Sequence, residues 1–260
     1  MKEKAILVVS FGSSYEETRK KTITQIEKDI KNAYPSYSIY SAFTSGRIIK
    51  KIAREEGKQI FNIQDAMEQM LEDGIKEVFI QPTFIIDGVQ NKELIERAEE
   101  YRESFQVLRF GSPLLTSIED YKRAINVFVK EHADISREEA VICMGHGADE
   151  YLSVSFAALD YMFKEEGYEN YYVATIRSYP NLDHVIKALK KHNYKKVTLI
   201  PFMVVAGYHA QQDLLGKAEE AWRCVLEKEG YEVTSILKGL GEYKEIREIY
   251  IDHIKDLLKA

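Results

Sequence analysis

The 260-residue chain carries a formal net charge of −6, is 45% hydrophobic and 30% charged, and contains only 5 prolines. That balance describes a well-packed globular protein, excludes long disordered tracts and speaks against a global attraction to nucleic acid or an anionic membrane; an anionic ligand would need a local cluster of positive groups. Cys143 and Cys224 are too few for a disulfide framework or a thiolate metal site and fit a reducing compartment.

In chain order, strands and helices alternate. MKEKAILVVSFG enters a strand over residues 5–11 at once, lacks the small-residue cleavage region of a secretory signal, and is followed nowhere by a run of membrane-spanning length. A cytoplasmic protein is the expectation. Gly12, Ser13 and Ser14 form a small-residue turn that caps a helix over 15–33. A strand over 38–43 leads through Thr44, Ser45 and Gly46 into a basic helix with Arg47, Lys50, Lys51 and Arg54 mostly on one face. A helix over 63–73, a strand over 78–86, a helix from about Gln90, a strand over 107–110 and a helix over 121–131 complete the first half. The second half reads as strand 141–144, helix 153–164, strand 172–176, helix 182–191, strand 197–202, helix 212–228, strand 232–236 and helix 244–258. Such alternation calls for parallel sheets with helices on both faces.

The halves resemble one another. VVSFGSS at 8–14 matches ICMGHGA at 142–148, with Phe11 standing where His146 does, and IQPTFIIDGVQ at 80–90 matches LIPFMVVAGYH at 199–209 without a gap. The second overlay pairs Pro82 with Pro201, Gly88 with Gly207 and Gln90 with His209. The expected fold class is therefore α/β, with two pseudo-symmetric domains, residues 1–135 and 136–260, each a four-stranded parallel sheet flanked by helices, facing one another across a cleft.

VICMGHG at 141–147 and LIPFMVVAGYH at 199–209 are apolar, β-branched runs that end in glycine and histidine, as buried strands do when they deliver a polar side chain to a sheet edge. Ligands in open α/β sheets gather outside the carboxyl ends of the strands, so His146 and His209 are expected in one crevice. Two imidazoles there suit a late first-row divalent metal or a proton transfer; strand-end histidines also serve as ordinary structural residues. His132, His184, His192 and His253 lie among charged residues and read as solvated surface.

VVSFGSSYEET, AFTSGRIIKKI, GSPLL at 111–115, MGHGA at 144–148, SYPNLD at 178–183, PFMVVAGYHAQQD at 201–213 and GLGE at 239–242 run in order along the chain. Together they resemble the anaerobic sirohydrochlorin cobaltochelatases, the CbiK family of class II tetrapyrrole chelatases. The resemblance implies a ferrochelatase-like fold and insertion of Co²⁺, as substrate and without an organic cofactor, into sirohydrochlorin or a related precorrin on the anaerobic route to cobalamin. It places the catalytic, metal-binding histidines on His146 and His209, with Gln90 as third metal residue. It puts Ser10, Gly12, Ser13, Arg47, Gly88, Gln90, Gly145 and Gly207 against the substrate. Partners are then a tetrapyrrole, with no nucleic acid and no membrane; homo-oligomerisation stays open. Because the macrocycle is rich in carboxylates, Arg47, Lys50, Lys51, Arg54 and Arg177 are candidates for a basic lining, the alternative for the first four being a solvated helix face.

Departures from the family pattern cluster near the metal position. The family usually has a glutamate where Gln90 stands, a residue that completes the metal site and is a candidate proton acceptor; glutamine offers only a neutral carbonyl oxygen. Phe84 stands where histidine is common, Arg177 where an acidic residue is frequent, and Tyr208 where a small or acidic residue is found. Asp87, Glu93 and Asp149 are sequence neighbours that could return a carboxylate. Alternatives to cobalt insertion are iron or nickel insertion into the same tetrapyrrole and a non-catalytic tetrapyrrole or metal carrier.

Overall fold

The computed structural model describes residues 2–147 and 154–259. Among them, the strands form two four-stranded, all-parallel sheets with the same topology, β2-β1-β3-β4 and β6-β5-β7-β8. In the first sheet β1 (Lys4–Ser10) lies between β2 (Ser38–Phe43) and β3 (Glu77–Pro82), with β4 (Val107–Phe110) at the edge. In the second, β5 (Ala140–Gly145) lies between β6 (Tyr171–Thr175) and β7 (Lys196–Pro201), with β8 (Glu232–Ser235) outermost. The inner strands are buried along nearly their whole length, as continuous apolar runs such as AILVV and AVICM require when helices cover both faces.

Register turns the sequence repeat into a structural one. Val9 pairs with Pro82 and Met144 with Pro201, so Ser10 corresponds to Gly145, Phe11 to His146 and Gly12 to Gly147. Residue-by-residue alignment of 8–14 on 142–148 sets Phe11 against Gly145; the register moves the match by one residue and sets Phe11 opposite His146. Gly12 and Gly147 both have positive φ, +98° and +87°. The chain then leaves the third strand of each sheet the same way. Leu114 N donates to Phe84 O and Leu115 N to Ile85 O, while Leu240 N donates to Met203 O and Gly241 N to Val204 O. The apolar run after Pro82 is thus a clamped loop, and the strand expected to reach residue 86 stops at Pro82.

Helices supply the outer layers. In the first unit these are α1 (Glu16–Lys21), α2 (Ile23–Ala33), α3 (Gly46–Glu56), α4 (Ile63–Glu72) and α5 (Val89–Glu99). The second holds α6 (Ile118–Glu131), α7 (Val154–Glu165), α8 (Leu182–Leu189) and α9 (Trp222–Lys228). Reciprocal capping boxes, Asn62 with Asp65 and Ser117 with Asp120, start α4 and α6 by satisfying backbone amides that have no helical partner. Two expected helices are interrupted. The one over 15–33 breaks at Thr22, whose hydroxyl and amide both bond Thr18 O and pull the backbone off helical geometry. The one over 212–228 becomes a five-residue π-turn, Ala210–Leu214, and a separate α9. Gly216 closes the turn on Gln212 O, at a spot where a Cβ would lie 2.2 Å from that oxygen.

The compact units differ from the expected halves. The first comprises the residues up to Thr116 together with α10 (Lys244–Lys259); the second is Ser117–Tyr243. α6 belongs with the second sheet because Phe128 is buried against Phe163, Tyr171 and Phe202, with ring centroids 5.2 to 6.4 Å apart. α10 returns to the first because Tyr250 is fully buried there and donates to Thr83 O at 3.1 Å, Arg247 pairs with Asp29 at 2.6 Å, and His253 Nδ1 donates to Ser112 O.

Candidate metal centre

The chain runs from β5 to β6 on one side and from β6 back across to β7 on the other, so the second sheet has its switch point between β5 and β7, where ligands of open parallel sheets collect. His146 is the first residue beyond β5. It is delivered there by two glycines with separate reasons to be glycine. A Cβ on Gly145 would meet the Phe156 ring at 2.5 Å, and Gly147 combines its positive φ with Ser178 Oγ at 2.5 Å from any Cβ. His209 follows the clamped loop beyond β7; Gly207 N donates to Val205 O, and the π-turn begins at Ala210.

The two imidazoles meet edge to face, their ring centroids 4.7 Å apart with an interplanar angle of 74°. His209 Nδ1 lies 2.5 Å from Asp213 Oδ2, and His146 Nδ1 lies 3.3 Å from Gly147 O. Both partners are oxygen acceptors, so each Nδ1 donates, and the lone pair of a neutral ring is then on Nε2. One side of His146 is exposed, but the protein packed around the other side desolvates it and holds its pKa below the ordinary value; His209 and Arg177 push the same way, against the Gly147 carbonyl bond and Asp213. A neutral imidazole at neutral pH is the form that accepts a metal ion or a proton. Beside the pair, Tyr208 is 60% exposed and sets its ring edge-on to His209 at 5.6 Å. Arg177 is exposed beyond β6 and makes no ion pair among the described residues.

Among the described residues no group of three or more His, Cys, Asp or Glu side chains converges on one point. Among the described residues the pair offers two nitrogen donors, of the kind that suit a late first-row divalent ion.

The other expected site residues belong to the first unit. Gln90 Oε1 accepts from Thr44 Oγ1 at 2.8 Å, and Phe11, the counterpart of His146, is 50% exposed. Ser10 is buried and shares a 2.8 Å hydroxyl bond with Thr83 Oγ1; Ser13 is buried, its hydroxyl accepting from Tyr15 N and its carbonyl from Arg19 Nη1. Gly12 lies against the Phe43 ring with no room for a Cβ, and Gly88 caps α5. Arg47 and Lys50 are exposed on α3 without an ion-pair partner among the described residues, whereas Lys51 and Arg54 both pair with Glu55. Phe84 is a core residue.

Asp213, the carboxylate at the pair, is the functional candidate that sequence reasoning missed; its signal was the four-residue spacing from His209. Of the carboxylates expected there instead, Asp87 accepts from Asn91 Nδ2, Glu93 is half-buried on α5, and Asp149 lies outside the described residues. Two other histidines were also misjudged. His132 is 5% exposed, its Nδ1 donating to Phe128 O at 2.7 Å and its Nε2 facing Tyr243 Oη at 3.0 Å. His253 is half-buried on Ser112 O. His184 and His192 are exposed as expected.

The chain is 33% identical over 256 residues to a sirohydrochlorin cobaltochelatase of Salmonella typhimurium, covering 98% of this chain and 97% of that one. It is 27% identical over 264 residues to the sirohydrochlorin cobaltochelatase CbiKC of Nitratidesulfovibrio vulgaris, covering 100% and 92%. Among solved structures, SirB from Bacillus subtilis with Fe³⁺ shares the fold at a TM-score of 0.68 and 15% identity, over 98% of this chain and 95% of that one. The family model described as cobalt chelatase (CbiK) matches residues 4–259, and the chain belongs to that family.

Proposed function

We propose that this protein inserts Co²⁺ into sirohydrochlorin or a closely related tetrapyrrole, with His146 and His209 receiving the ion and serving the proton transfer. The observation that carries the reading is the imidazole pair itself: two rings in edge-to-face contact, each with Nδ1 committed to an oxygen. Insertion asks for an ion held loosely enough to be surrendered and for removal of two pyrrole protons. Two imidazole nitrogen donors with open coordination answer the first need. His146, whose pKa burial holds below the ordinary value, takes one pyrrole proton on Nε2 as that nitrogen gives up the ion, and the second proton passes to solvent. Arg177, next to His146 and without an ion pair among the described residues, is a cation available to substrate carboxylates. No helix among the described residues is long and apolar enough to cross a membrane, and Cys143 and Cys224 are free thiols; we place the reaction in the cytoplasm.

The test is anaerobic absorbance of sirohydrochlorin with purified protein and Co²⁺, Fe²⁺, Ni²⁺ or Zn²⁺ in turn. Multiple turnovers fastest with Co²⁺, and lost in His146→Ala and His209→Ala variants that remain folded, are expected. Undiminished turnover in either variant overturns the assignment. A carrier is the second reading, motivated by the neutral side chain of Gln90; it is distinguished by stoichiometric binding spectra without turnover.

A further inference from the structure

We infer that Asp213 is a positioning residue for His209, holding its ring in the Nδ1–H form so that Nε2 is the metal donor. The consequence for the ion rests on the function proposed above; the dyad itself rests on geometry. A carboxylate only accepts hydrogen bonds, so the 2.5 Å contact between Asp213 Oδ2 and His209 Nδ1 assigns the proton to Nδ1.

The internal repeat explains how this dyad arises. Counting from Pro82 and Pro201, Gly88 corresponds to Gly207, Gln90 to His209 and Asn91 to Ala210, and the last two are both buried. Further along, the correspondence slips. In the first unit α5 is a regular helix, and Leu94, five positions before its end, enters the core. By count Leu94 matches Asp213, yet in the second unit the core position is taken by Leu214. The π-turn over Ala210–Leu214 supplies the extra residue. Widening the helix by one residue lets Leu214 pack and leaves Asp213, with 35% of its side chain exposed, turned to His209. Gly216, with no room for a Cβ against Gln212 O, closes the widened turn.

A histidine that gives its second ring nitrogen to a carboxylate is fixed in rotation and tautomer and becomes a better metal donor; losing such a partner costs about 10- to 100-fold in metal affinity. Among the described residues His146 Nδ1 has the longer 3.3 Å contact to Gly147 O, so there the two rings are held unequally.

The experiment has two readouts on metal-free and Co²⁺-titrated protein. Long-range ¹H–¹⁵N correlation spectra of histidine-labelled protein report the tautomer, and Co²⁺ absorbance reports affinity. Expected are Nδ1–H for His209 in the unaltered protein and loss of that preference in Asp213→Ala with about 10- to 100-fold weaker Co²⁺ binding. Asp213→Asn, whose amide oxygen also accepts, should keep the tautomer and lie between the two in affinity, and it serves if Asp213→Ala does not fold. An Nε2–H tautomer in the unaltered protein, or unchanged Co²⁺ affinity in Asp213→Ala while His209→Ala loses it, overturns the positioning role and leaves the proposed function standing. Co²⁺ affinity that survives His209→Ala overturns the function reading and the inference with it.

Discussion

Gln90 and His209 stand at the same place in two copies of one structure, each the same distance beyond the proline that closes the third strand, and each following a glycine whose amide turns back on the second residue before it. In one copy the position offers a neutral amide oxygen, engaged by the Thr44 hydroxyl; in the other it offers an imidazole nitrogen. The family resemblance puts a glutamate where Gln90 is. Gln90→Glu preserves shape and the bond from Thr44, so the fold should tolerate it. A charged oxygen in place of a neutral one strengthens polar contacts by about 1 kcal/mol, and the expected outcome is a roughly fivefold rise in Co²⁺ affinity or insertion rate. Unchanged kinetics would show that residue 90 takes no part in handling the ion.

Gly147 carries a second prediction. Alanine there takes on a left-handed backbone costing on the order of 1–2 kcal/mol, and its Cβ presses on Ser178 Oγ and on Thr175. We expect Gly147→Ala to lower unfolding free energy by about 1–3 kcal/mol and to displace His146, so that Co²⁺ binding weakens more than stability alone accounts for. Denaturant titration beside Co²⁺ titration separates the two effects; intact affinity in a destabilised variant would show that His146 does not depend on this turn.

Legibility in the sequence followed the physics of each feature. Runs such as AILVV and AVICM announce strands buried on both faces, and alternation with helices announces parallel sheets, so the sheet architecture and the strand-end position of His146 were readable. Helix α10 was placed with the wrong sheet because an apolar stripe such as that of KEIREIYIDHIKDLLK tells that a face is buried and nothing about which sheet covers it. The break at Thr22 and the π-turn at 210–214 depend on hydrogen bonds to particular carbonyls, which periodicity does not encode. His146 was visible at a strand end, whereas the run before His209 is a loop beyond Pro201, where β7 ends, clamped by bonds that periodicity does not encode; the Asp213 contact depends on a one-residue widening, and His132 was hidden because its charged neighbours mask a buried ring.

Tyr250 tests the return of α10 to the first sheet. Its ring is fully buried, burial raises its hydroxyl pKa, and the hydroxyl donates to Thr83 O at the end of β3. Tyr250→Phe keeps the packing and removes the donor, at a cost of about 1–3 kcal/mol for an unsatisfied buried carbonyl. Tyr250→Ala adds a cavity and should cost about 3–5 kcal/mol. Chemical denaturation checks both values; a neutral Tyr250→Phe would mean that water replaces the bond.

His132 gives the pH dependence of stability. Burial holds its pKa below the ordinary value of 6.5, with Lys238 pushing the same way and the Phe128 carbonyl and Glu131 opposing. Because Nδ1 donates to Phe128 O, Nε2 accepts from the Tyr243 hydroxyl, and a protonated ring would have to reverse that bond. An unfolded chain protonates this histidine more readily than the folded one. Stability is therefore fully present above the ordinary pKa and falls as pH drops below it, until the folded value is passed. His132→Gln can keep one donor and one acceptor without titrating. It should be less stable than the unaltered protein at neutral pH by about 1–3 kcal/mol for imperfect packing, and should lose less stability on mild acidification. Urea melts of both proteins at neutral and mildly acidic pH supply the measurement; parallel losses in the two would assign the acid sensitivity to other groups.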